Sequence, residues 1–170
     1  REESYTGLSI YDVETKKKFK ILTDRTVVSW CWSPEEEIIA VCLPTLKESE
    51  SGGTLSVFPS LQGRLIVVNL SPYREKIIAE DVAAKSVPIC LLKNGNIVYQ
   101  KVKPSLFGGP YVEFWEYEKS QEWHPKLLWR EQVSERRFGI SDDGRYLMTF
   151  RGLDDSASLY EVRLVDLQKG

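Results

Sequence analysis

Adjacent carboxylates at Glu35-Glu36-Glu37, Asp142-Asp143 and Asp154-Asp155 are the first side chains whose types suggest chemistry, because clustered acids can hold a divalent cation. The first two groups fall in segments that read as hairpin turns, where acids bond backbone and meet water. The Asp-x-Asp-x-Asp-Gly spacing with a distal glutamate, which aims several oxygens at one ion, is absent, and Asp154-Asp155 is the least unfavourable remaining place. His124 is the only histidine and no Cys-x-x-Cys exists, so no transition-metal ligand set is readable. A serine hydrolase needs a nucleophile elbow such as Gly-x-Ser-x-Gly and a histidine backed by an acid; neither is present. Gly52-Gly53 and Gly108-Gly109 open no helix that could cradle phosphate and read as loop hinges. The residues therefore point to a chain that is not an enzyme and takes no metal or cofactor.

Aromatic side chains form the one local excess. Phe107, Tyr111, Phe114, Trp115, Tyr117, Trp123 and Trp129 crowd the second half of the chain. Most should pack between sheets, where their large area is worth most when buried. Those left exposed would make a platform for a peptide or a glycan. The candidate ligand surface is Trp115, Tyr117, Trp123 and His124, the last two in Glu122-Trp123-His124-Pro125, a turn before a strand.

The elements that must position these residues repeat. An apolar segment, a tight polar turn and a second apolar segment recur at Trp30 to Val41, Ile89 to Tyr99 and Phe138 to Met148. Between them recurs a strand ending in a polar residue boxed by apolar ones: Tyr11-Asp12-Val13, Val68-Asn69-Leu70, Trp115-Glu116-Tyr117 and Val165-Asp166-Leu167. Their central residues lie 57, 47 and 50 positions apart, a period that belongs to repeat architectures and above all to propeller blades. The Asn94-Gly95 pair is the strongest hairpin signal, since both residues tolerate positive φ. Near-continuous apolar runs such as Ile38-Ile39-Ala40-Val41 suit strands covered on both faces. No amphipathic helix of normal length is visible, although residues 77 to 85 have the pattern for a helical turn or two.

The expected fold is all-β, with antiparallel four-stranded blades of a β-propeller in one repeat domain spanning residues 1 to 170. A partial blade covers 7–22 and repeats cover approximately 27–78, 87–129 and 135–167. Counted this way the strands number two, four, four and three. A propeller typically needs about four blades or more, latched by strands from both termini. The count therefore describes an incomplete arc of about three to four blades, whose open apolar faces seek a partner. Two long insertions, 44–63 (with a short strand at Thr54 to Phe58) and 103–110, are candidate binding loops.

The segments Trp32-Ser33-Pro34-Glu35-Glu36-Glu37-Ile38-Ile39-Ala40 and Ile140-Ser141-Asp142-Asp143-Gly144-Arg145-Tyr146-Leu147 resemble the repeat of TolB-like propellers, a tryptophan-serine-proline-aspartate-glycine turn followed by an apolar strand. The strand Leu159 to Gly170 and the strand Ile10 to Lys16 are similar to the one that follows in that repeat. The resemblance covers most of the chain at the level of the superfamily, which also takes in WD-repeat-like propellers. Glu36 stands where the repeat usually has glycine, and the middle copy has neither the tryptophan nor the aspartate. It implies a scaffold in which Asp142-Asp143-Gly144 shapes a turn and Trp32 packs between sheets, and it implies no particular ligand.

Composition narrows the partners. With 42% apolar and 28% charged residues over 170 positions the chain is ordinary globular protein, long enough to bury a core without disulfides. A net charge of −2 supplies no basic field for nucleic acid, and Lys16-Lys17-Lys18 reads as a solvated hairpin tip. No apolar stretch approaches the roughly twenty residues of a membrane span. The sequence begins at Arg1 without methionine, which fits removal of an upstream signal, an anchor or another domain; a soluble, extracytoplasmic protein with its leader removed is one such case, and the compartment stays open. Cys31, Cys42 and Cys90 are odd in number, sit in apolar strands and read as small buried hydrophobes. The function that follows is a non-catalytic propeller scaffold for protein binding or for assembly, the partner being another protein or the chain itself. Two alternatives stay open: the regulatory propeller of a prolyl oligopeptidase-like hydrolase, and a glycan-binding propeller.

Overall fold

Antiparallel strands, some buried on both faces and others alternating, recur through the computed structural model, which describes residues 6–33, 37–43, 62–83, 89–103, 111–119, 125–132, 138–152 and 160–169. Thirteen strands follow in chain order: β1 Leu8–Tyr11, β2 Lys18–Ile21, β3 Thr26–Trp32, β4 Glu37–Leu43, β5 Gln62–Leu70, β6 Tyr73–Ala83, β7 Cys90–Leu91, β8 Ile97–Lys103, β9 Tyr111–Tyr117, β10 Lys126–Gln132, β11 Phe138–Ile140, β12 Tyr146–Gly152 and β13 Tyr160–Asp166. Every pairing is antiparallel, and no helix occurs among the described residues. The chain is therefore all-β.

Strands β1 and β2 form one sheet, β11, β12 and β13 another, and β3 to β10 a third that curls into half a barrel. Within this large sheet β3-β4-β5-β6 and β7-β8-β9-β10 are two antiparallel meanders. They are joined by a single pair, Val82 opposite Lys101, just after Asp81 takes a positive φ of 59°. Among the described residues there are thus two strands in the first sheet, four in each meander and three in the last sheet.

Side-chain parity shows how these units pack. Along β4, Ile39 and Val41 face one way and Ile38, Ala40 and Cys42 the other, and all five are buried. The first set joins Leu65, Ala79 and Val82 against Ile97, Tyr99 and Tyr117 of the next meander. The second set joins Ile66 and Val68 against Ile21 and Leu22, with Leu8 and Ile10 beside them. The far face of β8 and β9 carries Val98, Val102, Val112 and Phe114, which meet Phe138 and Leu147 of the last sheet. Phe114 and Phe138 touch edge to face with centroids 5.2 Å apart. Three clusters of buried apolar side chains result, and β4 contributes to two of them from its two faces, which is why it reads as a near-continuous apolar run.

Residues 77 to 83, a candidate for a helical turn, are instead the second half of β6. Ile77 pairs with Ile66 and Ala79 with Leu65, so sheet pairing overrides the local spacing. The expected strand Thr54 to Phe58, Phe107, Asp154-Asp155, both Gly-Gly pairs and most of the two long insertions lie outside the described residues.

Candidate functional site

Tight turns gather at one end of the stack. Leu92 accepts from the Gly95 amide at 3.0 Å and Ser141 from the Gly144 amide at 2.8 Å, and both glycines have positive φ, 82° and 73°. Asn94 is not left-handed, so the Asn-Gly signal marks a turn followed by one αL glycine rather than a two-residue primed turn. The polar residue ending each third strand works at the same end. Asp12 Oδ1 accepts from the amides of Glu14 and Thr15, Asn69 Oδ1 from Ser71, and Asp166 Oδ1 from Gln168. Glu116 instead accepts from Asn96 Nδ2 at 2.8 Å, and Asp166 also takes Arg145 Nη2 at 2.9 Å. The boxed residues of the repeat are thus turn caps and ties to the preceding hairpin. The strand ends flanking residues 44–61, 104–110 and 153–159 all lie at the opposite end, because successive connections of a meander alternate.

A cleft of about 290 Å³ opens at the turn end between the two large meanders. Its floor is apolar, with Ile39, Val67, Ile78, Ile97 and Tyr117, and its rim carries Lys76, Lys93 and Lys119 against the single carboxylate of Glu37. Lys119 Nζ donates to Glu37 Oε2 at 2.7 Å and so ties β9 to β4 across the interlayer. Lys93 lies 3.6 Å from Asp142 of the next turn. The arrangement offers an apolar slot under a cationic rim.

The predicted ligand surface divides. Tyr117 is buried in the cleft floor, and Trp115 lies on the same face of β9, packed against the interlayer core. Trp115 Nε1 donates to Glu113 Oε2 at 3.0 Å, the Lys101 ammonium stands 5.4 Å from its ring, and Arg130 pairs with Glu113. Burial, then the neighbouring Lys103 charge, pulls the Lys101 ammonium below its usual range. Trp123 and His124 lie outside the described residues.

Two pairs of exposed apolar side chains stand out among the described residues. On β3, Trp30 and Trp32 pair with Ala40 and Ile38 and share their sheet face, yet they are 53% and 47% exposed. The resemblance implied that Trp32 packs between sheets; it faces an interlayer, but β1 and β2 reach only part of that face. Beside it runs a groove of about 220 Å³ lined by Leu8, Ser9, Ile10, Tyr11, Trp30, Trp32 and Ile38. Trp30-Cys31-Trp32 carried the signal in sequence, since residues two apart share a strand face. On the last sheet, Val162 and Leu164 are 57% and 68% exposed with Met148 beside them.

Cys31, Cys42 and Cys90 are free thiols, and burial pushes those of Cys42 and Cys90 up to about 11. Among the described residues no three His, Cys, Asp or Glu side chains converge as a metal site, and no helix is long and apolar enough to cross a membrane. The chain matches no protein-family model and no curated protein.

Proposed function

We propose that this chain is a run of blades of a TolB-like β-propeller and serves as a non-catalytic scaffold for protein binding or assembly. The reading is supported by the order of its antiparallel meanders and by inner units buried on both faces, as stacked blades are. The observation that carries it is a pair of exposed apolar patches among the described residues, Trp30 and Trp32 on β3 and Met148, Val162 and Leu164 on the last sheet. Exposed apolar faces rimmed by polar residues are what a soluble chain keeps for association. Light scattering across a concentration series tests it. The expected result is a mass above the 19.6 kDa of one chain that rises with concentration and returns to one chain in Leu164→Glu or Trp30→Glu. A 19.6 kDa particle at every concentration, unchanged by those substitutions, contradicts assembly through these faces.

A further inference from the structure

We infer that the groove beside β1 is a strand-addition site that takes an extended peptide antiparallel to β1, with aliphatic side chains at alternate positions. The inference rests on the reading of the meanders as equivalent repeat units. All four residues of β1 line the groove, those of both faces, and none of β2 does. The groove therefore runs along the edge of β1 that β2 does not occupy. The Asp12 amide donates to Lys17 O, and the register then runs Tyr11 to Lys18, Ile10 to Phe19, Ser9 to Lys20 and Leu8 to Ile21. Antiparallel partners alternate between bonded and non-bonded pairs, so Leu8 and Ile10 bond to β2. Ser9 and Tyr11 direct their N–H and C=O groups to the open edge. An edge that no described strand occupies, over an apolar floor, is the arrangement that strand addition uses.

The rest of the molecule shows what belongs there. In each other unit the third strand has the second strand on this edge: β4 beside β5, β8 beside β9, β12 beside β13, all antiparallel and all 7 residues long. That strand presents alternate aliphatic residues to the following sheet, Ile39 and Val41 from β4 and Val98 and Val102 from β8. By the same placement, a strand added to β1 pairs with Ser9 and Tyr11 through its backbone. Residues opposite Leu8 and Ile10 lie over Trp30, Trp32 and Ile38, extending the interlayer that Ile21, Leu22, Ala40 and Ile66 already form.

The probe is a synthetic peptide of the β4 sequence Glu37–Leu43 with Cys42→Ser and flanking lysines for solubility, added to the whole chain. Tryptophan emission should shift to the blue, and the amides of Ser9 and Tyr11 should slow in hydrogen exchange by about tenfold or more at saturation. The same peptide with Ile38→Pro and Ala40→Pro keeps the inward aliphatic pair but loses the ladder donors, and it should leave both signals unchanged. Trp30→Ala with Trp32→Ala, at half-exposed positions, should weaken binding by about tenfold or more while the far-UV circular dichroism stays that of the parent. Equal binding of the proline peptide, protection on β13 instead of β1, or no protection at Ser9 and Tyr11 overturns the inference. Protection at Ile39, Val41, Ile97 and Tyr99 in the free chain is read in the same experiment. If those amides are protected while β1 does not respond, strand addition alone fails; if they exchange freely, the stacked-unit reading fails with it.

Discussion

Gly144 is where two turns meet, and replacing it by alanine separates two costs. Its φ of 73° lies in the left-handed region, which costs an L-residue roughly 1–2 kcal/mol. A Cβ built there lies 2.9 Å from Leu92 Cδ1, well inside the 3.5–4.0 Å optimum for carbon pairs. Leu92 is buried between the last two units, and its side-chain end can retreat only by disturbing that packing. Crowding of this kind costs about 1 kcal/mol or more, so Gly144→Ala should lose about 2–3 kcal/mol in all. Leu92→Ala alone should lose about 2–5 kcal/mol. With Leu92 truncated the steric part vanishes, and adding Gly144→Ala should then cost only the backbone term, a coupling of about 1 kcal/mol. Urea unfolding with a common slope measures all four corners of the cycle. A Gly144→Ala midpoint equal to that of the parent, or strict additivity with Leu92→Ala, would refute the turn-on-turn contact.

Other outcomes follow from the same structure. Asp12, Asp143 and Asp166 are held below the ordinary value of 3.8, by the Thr15 hydroxyl, the Ser141 hydroxyl and Arg145 respectively. A depressed carboxyl stabilises the fold fully above 3.8 and loses that contribution as pH falls through its lower folded value, so melting temperature should drop on acidification below 3.8, and less steeply in Asp166→Asn. Cys42 and Cys90, with thiols near 11, should react slowly with a disulfide reagent at pH about 8 in the folded chain and rapidly in denaturant; fast native labelling of Cys42 would contradict its burial. Glu113→Ala should cost about 1–3 kcal/mol by leaving Trp115 Nε1 unpaired, and Glu113→Gln less, as thermal melts would show. Lys119→Met should change stability by less than about 1 kcal/mol, because the pair with Glu37 lies at a solvent-facing rim; a larger loss would mean that the ion pair holds the interlayer.

Much of the fold was legible because the turn chemistry is local. Gly95 and Gly144 take the positive φ that the hairpins require, and Asp12, Asn69 and Asp166 cap the turns after the strands they were picked out to end. The apolar run at β4 announced burial on both faces, whereas Val28, in the shorter run of β3, is 40% exposed. What sequence could not give was which face each residue meets. Trp115 and Tyr117 looked like a surface and lie against an interlayer, while Trp32 looked like packing and is half exposed, because coverage depends on how far the neighbouring sheet extends. Nor could spacing bring Lys76, Lys93 and Lys119 to one rim, since they come from different strands and turns of the two meanders that line the cleft. Strand β6 runs well past Ile78 because Ala79, Val82 and Ala83 find partners on β5, a register set by tertiary pairing.

Aromatic and methyl contacts across the interlayers test the stacked arrangement most directly. Nuclear Overhauser spectra should connect Ile39 and Val41 methyls to the rings of Tyr99 and Tyr117, Ile21 to Ala40, and the ring of Phe114 to that of Phe138. Cross-peaks confined to hydrogen-bonded neighbours within each sheet, with none between these sets, would contradict it.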